Sequence, residues 1–361
     1  MKRLTRPSVR RKANDKRLRN RRGVTLVLVA IMFTVLIGFV AMALDFGRMY
    51  SFKAELRRLT DAEALSGVMD KHIGRTKPEA MANIALLLAA NTVENNATTT
   101  IQSDDVTPEQ WNFATQTPTV GTWGTNNAVR VAAHYTANWT LARVFGSVSR
   151  VLNDTSVAAV GTVVSNNCIK PWAIPYAALL DKLGYSAPYP VTTHDLTATE
   201  VAQLDDASME VSFLEKGDGA LDNGAPGNFG WVDTNVADQE NGPNNQIAAS
   251  ISGCTSSGIG VGTMLDSEAG NRNAVEIRQA MELVCGGTSV CTSTTPVLVP
   301  IIDQVDGTGT NATYRVKYIG AFRLTRMDAN NFYGYLTSTS VAATGPLSNT
   351  PGPVSAVVLV K

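Results

Sequence analysis

The feature that most constrains this chain is an uncharged run of apolar residues that extends from Gly23 to Leu44. An α-helix rises about 1.5 Å per residue, so about 20 residues cross the roughly 30 Å hydrocarbon core of a bilayer. The apolar core of a cleaved signal peptide is shorter, at about 7–15 residues. No small-x-small cleavage motif closes the run, which continues directly into Asp45. The run therefore predicts a transmembrane helix that stays attached to the mature chain.

Charge is distributed very unevenly around this run. Residues 1–22 hold eleven of the 31 Lys and Arg residues but only one of the 31 acids, Asp15, so the rest of this neutral chain is net acidic. Lys and Arg are retained on the cytoplasmic side of a span, which predicts a basic cytoplasmic tail and an exported C-terminal part. A basic tail can also bind nucleic acid, but no aromatic residue is interleaved here and the bilayer begins at Gly23. We therefore predict contact with anionic lipid and no nucleic-acid partner.

Residues 45–94 are predicted to form a helical stalk that continues the membrane helix. Apolar residues recur there at spacings of three and four, which predicts one apolar seam along a helix: Met49, Phe52, Leu56 and Leu59. A second helix is predicted to begin at Pro78, because proline suits the first turn of a helix. The seam can pack on the chain's own domain or on a partner helix, including self-association through residues 45–69.

The rest of the chain is predicted to be an α+β, strand-rich exported domain. Residues 95–165 form a loop-rich segment with strands, in which 95–128 has little regular structure, and residues 166–361 form the periplasmic domain. Alternating or continuous apolar patterns predict the following strands: 128–135, 156–164, 209–214, 296–305, 314–324 and 333–342. Helices are predicted at 139–145, 198–206 and 267–284.

All four cysteines lie on the predicted exported side, where disulfides persist: Cys168, Cys254, Cys285 and Cys291. Four cysteines allow three pairings. A Cys285–Cys291 bridge would close a short loop, and Cys168–Cys254 would then join distant parts of one domain. No C-x-x-C motif occurs, which disfavours a zinc site.

The sequence gives little sign of catalytic chemistry. No G-x-S-x-G motif occurs, and the three histidines, at 72, 134 and 194, share no metal-binding spacing. The segment from Asp206 to Glu210 departs from the Asp-x-Ser-x-Ser metal motif at its last position, and Asp218–Gly224 departs from a calcium loop at its third. We therefore predict a protein that is not an enzyme and has no cofactor or metal.

Three aromatic residues lie in segments rich in Pro, Gly and Asn, and they form a candidate binding loop: Trp172, Phe229 and Trp231. If they are exposed, they are anchors for a partner. If they are buried, they hold loops onto the core, which is the more frequent fate of tryptophan.

One combined pattern resembles a known family. It consists of an Arg-Arg-Gly entry (Arg21, Arg22, Gly23), an apolar span, an Asp-x-Gly-Arg-x-Tyr segment (Asp45, Gly47, Arg48, Tyr50) and an Asp-Ala-x-Ala segment (Asp61, Ala62, Ala64). Over residues 21–68 this pattern resembles the N-terminal region of TadG-like proteins of the tight-adherence (Flp) pilus assembly systems. A looser likeness to their periplasmic part extends over residues 168–345, through the segments 168–175, 227–233 and 320–322.

The resemblance implies an inner-membrane accessory or scaffold protein that contacts other proteins of a pilus or secretion machine. One alternative is a minor pilin that is cleaved after Gly23 and built into the fibre. Such pilins usually carry Glu at the fifth residue after the cleavage site, whereas Leu28 stands here. A second alternative is an exported adhesive or calcium-dependent binding module that uses the loops of 217–242, and a third is a hydrolase.

Overall fold

The structure is a computed structural model. It describes residues 12–91, 93, 105–146, 149–213, 230–234, 243–254, 258–268, 274–307, 311–328, 331–341, 345–350 and 352–360. Side chains are described from residue 25 onward, except for 144, 145 and 243–246. A long apolar helix is followed by a strand-rich α+β domain, as the sequence predicts. The chain divides into two compact units, which alternate along the sequence.

Helix α1 (Lys12–His72) is a single unbroken helix of 61 residues, about 90 Å long. It is long and apolar enough to cross a membrane. Large apolar side chains are exposed along the predicted span; Phe33, for example, is 63% exposed and Phe39 is 68% exposed. The hydroxyl of Thr34 donates to the carbonyl of Ala30 at 2.9 Å, so it needs no water. The apolar surface of this part of α1 fits a hydrocarbon solvent.

Helix α1 ends at a glycine turn, and helix α2 (Lys77–Ala90) follows it. Gly74 has φ +83°, a conformation that side-chain-bearing residues rarely adopt, and the N–H of Arg75 bonds back to the carbonyl of Asp70. Glu79 caps α2 by accepting from the N–H and the hydroxyl of Thr76, each at 2.8 Å. Pro78 lies in the first turn, which confirms the helix predicted there.

The remaining elements follow in chain order. The strands are β1 (Val106–Asn112), β2 (Thr117–Val120), β3 (Ala128–Asn138), β4 (Ser149–Val163), β5 (Ser165–Asn166), β6 (Ile174–Pro175), β7 (Val211–Ser212), β8 (Ile259–Gly260), β9 (Met264–Asp266), β10 (Val297–Asp306), β11 (Thr313–Met327), β12 (Phe332–Leu336), β13 (Thr339–Ser340), β14 (Leu347–Ser348) and β15 (Val354–Leu359). The helices are α3 (Tyr176–Lys182), α4 (Ala198–Leu204), α5 (Pro243–Ser252) and α6 (Val275–Cys285).

The first compact unit comprises the residues up to Glu63, Ala82–Val106 and Val131–Ser156. Its core is the predicted seam of α1 packed against alternate residues of β3, with these members: Met49, Phe52, Leu56, Leu59, Val93, Ala133, Tyr135 and Ala137. The seam therefore packs on the chain's own domain. Self-association through residues 45–69 was predicted from this seam, and the structure contradicts that basis because the seam is already covered.

The second compact unit comprises Ala64–Met81, Thr107–Arg130 and Val157–Lys361. A six-stranded sheet in the order β6-β10-β11-β12-β7, with β9 paired to β11, lies at its centre. Alternate residues of β10 face opposite sides, as the pleat of a strand requires. Val299 and Ile301 pack among residues of α3, α4, α5 and α6, whereas Leu298 and Ile302 pack with Val163 of β4 and residues of β15.

A seven-stranded sheet has the order β13-β15-β4-β3-β1-β2, and β14 also pairs with β4. Strand β15 runs antiparallel to β4 from Ser355 opposite Thr162 to Leu359 opposite Ala158.

Two disulfides join Cys168 to Cys254 and Cys285 to Cys291, which is one of the three pairings that the sequence allows.

Several predicted elements have other bounds than the sequence suggests. Residues 95–128 were predicted as loop, but 106–120 contains the β1–β2 hairpin, in which Trp111 packs on Ala128, Val157 and Ala159. The helix predicted at 267–284 begins only at Val275, because β9 pairs with β11 and Ser267 bridges Val232. Among the described residues, the strand predicted at 209–214 contains only β7, and the strand predicted at 333–342 is divided into β12 and β13.

Candidate functional site

The residue that ends the apolar run, Asp45, anchors a loop of the first unit. Asp45 is 2% exposed, and its carboxylate accepts three backbone N–H groups, from Thr140 at 3.3 Å, Leu141 at 2.8 Å and Ala142 at 2.6 Å. These residues follow β3 and enter a 3-10 turn, Ala142–Phe145. The first N–H groups of a helical turn have no acceptor within the turn, so a carboxylate placed there satisfies them. We call this arrangement the Asp45 junction.

The electrostatics of the junction favour an ionised Asp45. The N–H of Ala142 is the largest cause that lowers the pKa of this carboxyl below its usual value. Burial opposes the shift, and the N–H groups of Leu141 and Thr140 and the charge of Arg48 add to it. An ionised carboxylate that accepts several N–H groups is therefore held at the end of the apolar run.

One aromatic pair and one arginine extend the junction. Arg48 donates to the hydroxyl of Thr140 and lies 5.5 Å from the ring centre of Phe52. The ring of Phe46 meets Trp139 edge to face, with centroids 5.7 Å apart. In the structure Arg48 lowers the pKa of Asp45 through its charge, and both residues bind the same loop.

A second group of polar contacts fixes β4 to α1 within the first unit. Asp61 accepts from the hydroxyl of Ser156. Asp154 accepts from Lys53 at 2.6 Å and from the hydroxyl of Thr60 at 3.1 Å. The sequence singled out Asp61 as a motif residue, but it gave no sign of the partners on β4, which lie more than 90 residues away.

The remaining motif residues divide between two faces of α1. Ala64 is fully buried, whereas Tyr50 is 80% exposed and Ala62 is exposed. A Cβ atom built on Gly47 meets no atom within 4 Å. Gly47 and Tyr50 therefore do not pack on the described part of the chain's own domain. Residues 21–23 lie in α1, but their side chains are outside the described part.

Sequence reasoning missed one buried acid in this segment. Glu63 is fully buried, and neither of its carboxyl oxygens has a hydrogen-bond partner in the described part of the chain. Burial raises its pKa to about 8. A helical period carried forward from the seam at Leu56 and Leu59 places residue 63 on the same inward side, which was the available signal.

The predicted aromatic binding loop is a core feature. Trp172 is fully buried and Trp231 is 2% exposed, and the two residues form a β-bridge. Trp172 also packs against Phe213 and Phe332. The binding-anchor alternative is therefore wrong for both tryptophans, and Phe229 lies outside the described residues.

The other candidate sites also have structural explanations or lie outside the described part. Asp206 accepts from the N–H of Ser208 at 2.7 Å and caps a short turn. Residues 218–224 are not described, and within the described ranges no three potential metal ligands lie together. His194 contacts Glu200 at 3.0 Å, His72 contacts Ser355, and His134 is exposed, so the three histidines do not converge.

A cavity of about 590 Å³ opens in the second unit beside α3 and β7. Three of its charged lining residues have partners: Arg326 lies 3.1 Å from Glu210 and stacks on Tyr333, and Asp181 accepts from the hydroxyl of Tyr189 at 2.8 Å. The described residues next to it, Phe213 and Gly230, flank a segment that is not described, so the cavity assigns no substrate.

Comparison with known proteins locates the informative segment in α1. No curated protein and no solved structure matches the chain. A family match nevertheless contains the apolar run and every α1 residue of the Asp45 junction, which confirms the resemblance predicted for residues 21–68. Residues 23–70 match the model of the putative Flp pilus-assembly TadE/G-like family.

Proposed function

We propose that this protein is a membrane-anchored accessory or scaffold protein for assembly of a tight-adherence (Flp) pilus or a related secretion machine. One observation carries the proposal: the unbroken helix α1 leads from the apolar run directly into the Asp45 junction. The first compact unit is thereby held at a fixed distance and rotation relative to the span. Such an arrangement presents a surface to other proteins and requires no catalytic group, so we propose a non-enzymatic role.

The partner-binding surface that we propose is the outer face of α1. The inner face is occupied by Met49, Phe52 and Leu56, whereas Gly47 and Tyr50 are directed away from the chain's own core. Family-motif residues that pack on no described part of their own domain are suited to contact other proteins of the pilus machine. Exposed tyrosine beside glycine allows close approach of a second backbone and a large contact area.

We propose that the tail is cytoplasmic and that the domain lies on the periplasmic side of the inner membrane. The excess of Lys and Arg before Gly23 supports this orientation. The two disulfides support it as well, because they persist in an oxidising compartment.

A minor pilin is the second candidate, because α1 combines an apolar part with a part that packs on the folded domain, as a fibre subunit requires. The described side chains of its apolar run are exposed, and its later part packs on a sheet. The residue that disfavours this candidate is Leu28, which stands where such pilins carry the buried glutamate that pairs with a neighbouring N-terminus.

Intact mass spectrometry of the chain, from the membrane pellet and from material sheared off the cell surface, tests the proposal. We expect full-length chain in the membrane and none in the sheared fibres. A species that begins at Val24 and is enriched in the sheared material would make the protein a processed fibre subunit. The scaffold role further requires that deletion of the gene abolishes pili while pilin is still synthesised.

A further inference from the structure

We infer that the loop ends of β3 and β4 form a second membrane contact, which binds anionic phospholipid head groups through Arg143 and Arg150. This inference rests on the proposed function in one respect, since it requires that α1 crosses the membrane. It adds a contact between the folded domain and the lipid surface, separate from the span and from the basic tail.

The position of these loop ends relative to α1 carries the inference. The N–H groups of Thr140, Leu141 and Ala142 bond directly to Asp45, the residue after the apolar run. The Phe46–Trp139 ring contact lies at the same level. A segment that is hydrogen-bonded to the end of a membrane span lies in the head-group layer, which extends about 5–10 Å beyond the hydrocarbon.

Strand β4 begins within about 10 Å of this level. Asp154 contacts Lys53 and Thr60, which lie about 12 and 22 Å beyond Asp45 along α1. Arg150 precedes Asp154 by four residues, which is about 13 Å along an extended strand. The backbone of Arg150 therefore lies at most about 10 Å beyond Asp45, where its long side chain reaches the head-group layer.

The side chains at this level have the chemistry of an interfacial surface. Leu141 is 41% exposed, Val151 is 55% exposed, and Trp139 is half-buried. Tryptophan and arginine are favoured at the membrane–water interface. Exposed apolar side chains at a loop end are costly in water but are covered when they lie among lipid head groups.

The charge of this surface selects anionic lipid. Arg143 and Arg150 are exposed, and the sequence contains no acid between Asn138 and Asn153. The two acids that flank the surface are already engaged, Asp45 by backbone N–H groups and Asp154 by Lys53. A basic residue near an anionic membrane strengthens binding by about fivefold at physiological salt.

The test places a nitroxide label at one position at a time on the full-length chain, reconstituted in vesicles of phosphatidylcholine with phosphatidylglycerol. Labels at Leu36, Leu141 and Arg58 sample the span, the loop end and a part of α1 about 20 Å beyond Asp45. Collision rates with oxygen and with a water-soluble nickel chelate measure the depth of each label. We expect Leu36 in hydrocarbon, Leu141 in the head-group layer and Arg58 in water.

Paired charge variants test lipid selectivity. The measured quantity is the ratio of phosphatidylglycerol to phosphatidylcholine among the lipids that co-purify with the chain. We expect R143Q/R150Q to lower this preference by up to about fivefold per arginine. The matched control R57Q/R58Q removes two exposed charges from α1 and should leave this preference unchanged.

The possible outcomes separate this inference from the proposed function. A Leu36 label outside the hydrocarbon would contradict the membrane anchor itself. A Leu36 label in hydrocarbon together with a Leu141 label as water-exposed as Arg58 would overturn the second contact alone. An interfacial Leu141 with equal lipid preference in both charge variants would overturn the binding of anionic head groups.

Discussion

Two buried carboxyl groups on the same helix show how neighbouring donors decide the state of an acid. Asp45 accepts three N–H groups, and its pKa is lowered. Glu63 has no hydrogen-bond partner in the described part of the chain, and burial raises its pKa to about 8. Burial disfavours the charged form of both groups, but in Asp45 the donors outweigh it. Asp45 is therefore ionised at neutral pH, whereas Glu63 is mostly protonated.

Replacing Asp45 by Asn should release the loop that follows β3. An amide keeps one acceptor oxygen but loses the charge that strengthens all three N–H bonds. We expect trypsin to cleave after Arg143 roughly tenfold faster in D45N than in the original chain, because local opening becomes more frequent. The control variant N138D changes a neighbouring exposed position and should not alter the rate.

The pH dependence of this protection follows from the lowered pKa. A carboxyl whose pKa is lowered in the folded state stabilises that state above its unfolded pKa of 3.8, and this stabilisation is lost as the pH falls further. Protection of the loop should therefore be constant from pH 7 to about pH 5. A loss of protection already near pH 6 would show that Asp45 does not hold the loop.

Replacing Glu63 by Gln should stabilise the protein most at alkaline pH. The raised pKa means that folding binds a proton, so stability falls as the pH rises from 4.5 to about 8. E63Q removes this loss, and we expect its free energy of unfolding at pH 8 to be higher by up to about 4 kcal/mol. Denaturant unfolding of both chains measures the difference. At pH 4 the two chains should be nearly equal. Equal stability at both pH values would contradict the buried, unpaired state of Glu63.

At the scale of elements, the two disulfides close loops of very different length. Cys168 and Cys254 are 86 residues apart, and Cys285 and Cys291 are 6 apart. In the chain-entropy description a longer loop restricts the unfolded state more. We expect C168A/C254A to lose about 4–5 kcal/mol of stability and C285A/C291A about 2–3 kcal/mol. Thermal unfolding of the purified full-length variants in one detergent measures the difference, and the reverse order would refute this description here.

The outer face of α1 gives a prediction that separates folding from assembly. A methyl group on Gly47 meets nothing within 4 Å, so G47A should stabilise the helix by about 0.5–1 kcal/mol. If a second protein packs closely on this face, G47L should fold normally but fail to support pilus formation. Electron microscopy of cells that carry each variant measures pili, and R58L, on an exposed part of the same helix, is the control. Normal piliation in G47L would exclude close packing at this residue.

Elements with a strong local pattern could be predicted from the sequence. The apolar run and the seam of α1, the start of α2 at Pro78, and strands β10 and β11 all follow from periodicity and composition. Strands that depend on a distant partner could not. The polar β1 becomes a strand because Trp111 packs on β3 and β4, and β15 does so because it pairs with β4, almost 200 residues earlier.

Only the part of the candidate site that lies on α1 could be predicted from the sequence. The motif identified Asp45 and Arg48, which both belong to α1. It did not identify Thr140, Leu141 and Ala142, because backbone N–H groups have no side-chain signature and lie about 95 residues away. Trp172 and Trp231 lie in segments whose composition fits either an exposed or a buried loop. Only the packing in the folded structure shows that both are buried.

At the scale of the whole molecule, three features support the membrane orientation that we propose. The basic residues precede the apolar run, the acidic excess follows it, and all four cysteines of the two disulfides lie after it. Because α1 is continuous, an inverted chain would place both disulfide sites in the reducing cytoplasm. The oxidation state of the cysteines therefore reports orientation.

Neutralising the end of the tail should invert part of the population. We expect replacement of five basic residues by Gln to produce a fraction of chains with four reduced cysteines: Lys16, Arg17, Arg19, Arg21 and Arg22. The reason is that Lys and Arg within about 15–20 residues of a span set its direction. A thiol-reactive mass tag applied to cells measures the reduced fraction, and protease accessibility of the domain should give the same fraction.

A matched set of five exposed basic residues in the domain provides the control, namely Arg57, Arg58, Lys182, Arg278 and Arg323. Replacing them by Gln removes the same charge but leaves the tail intact, so all four cysteines should stay oxidised. If the tail variant is also fully oxidised and fully accessible to protease, the tail does not set the orientation. If reduced cysteines appear in chains whose domain is still accessible, the tail variant impairs oxidative folding without inverting the helix.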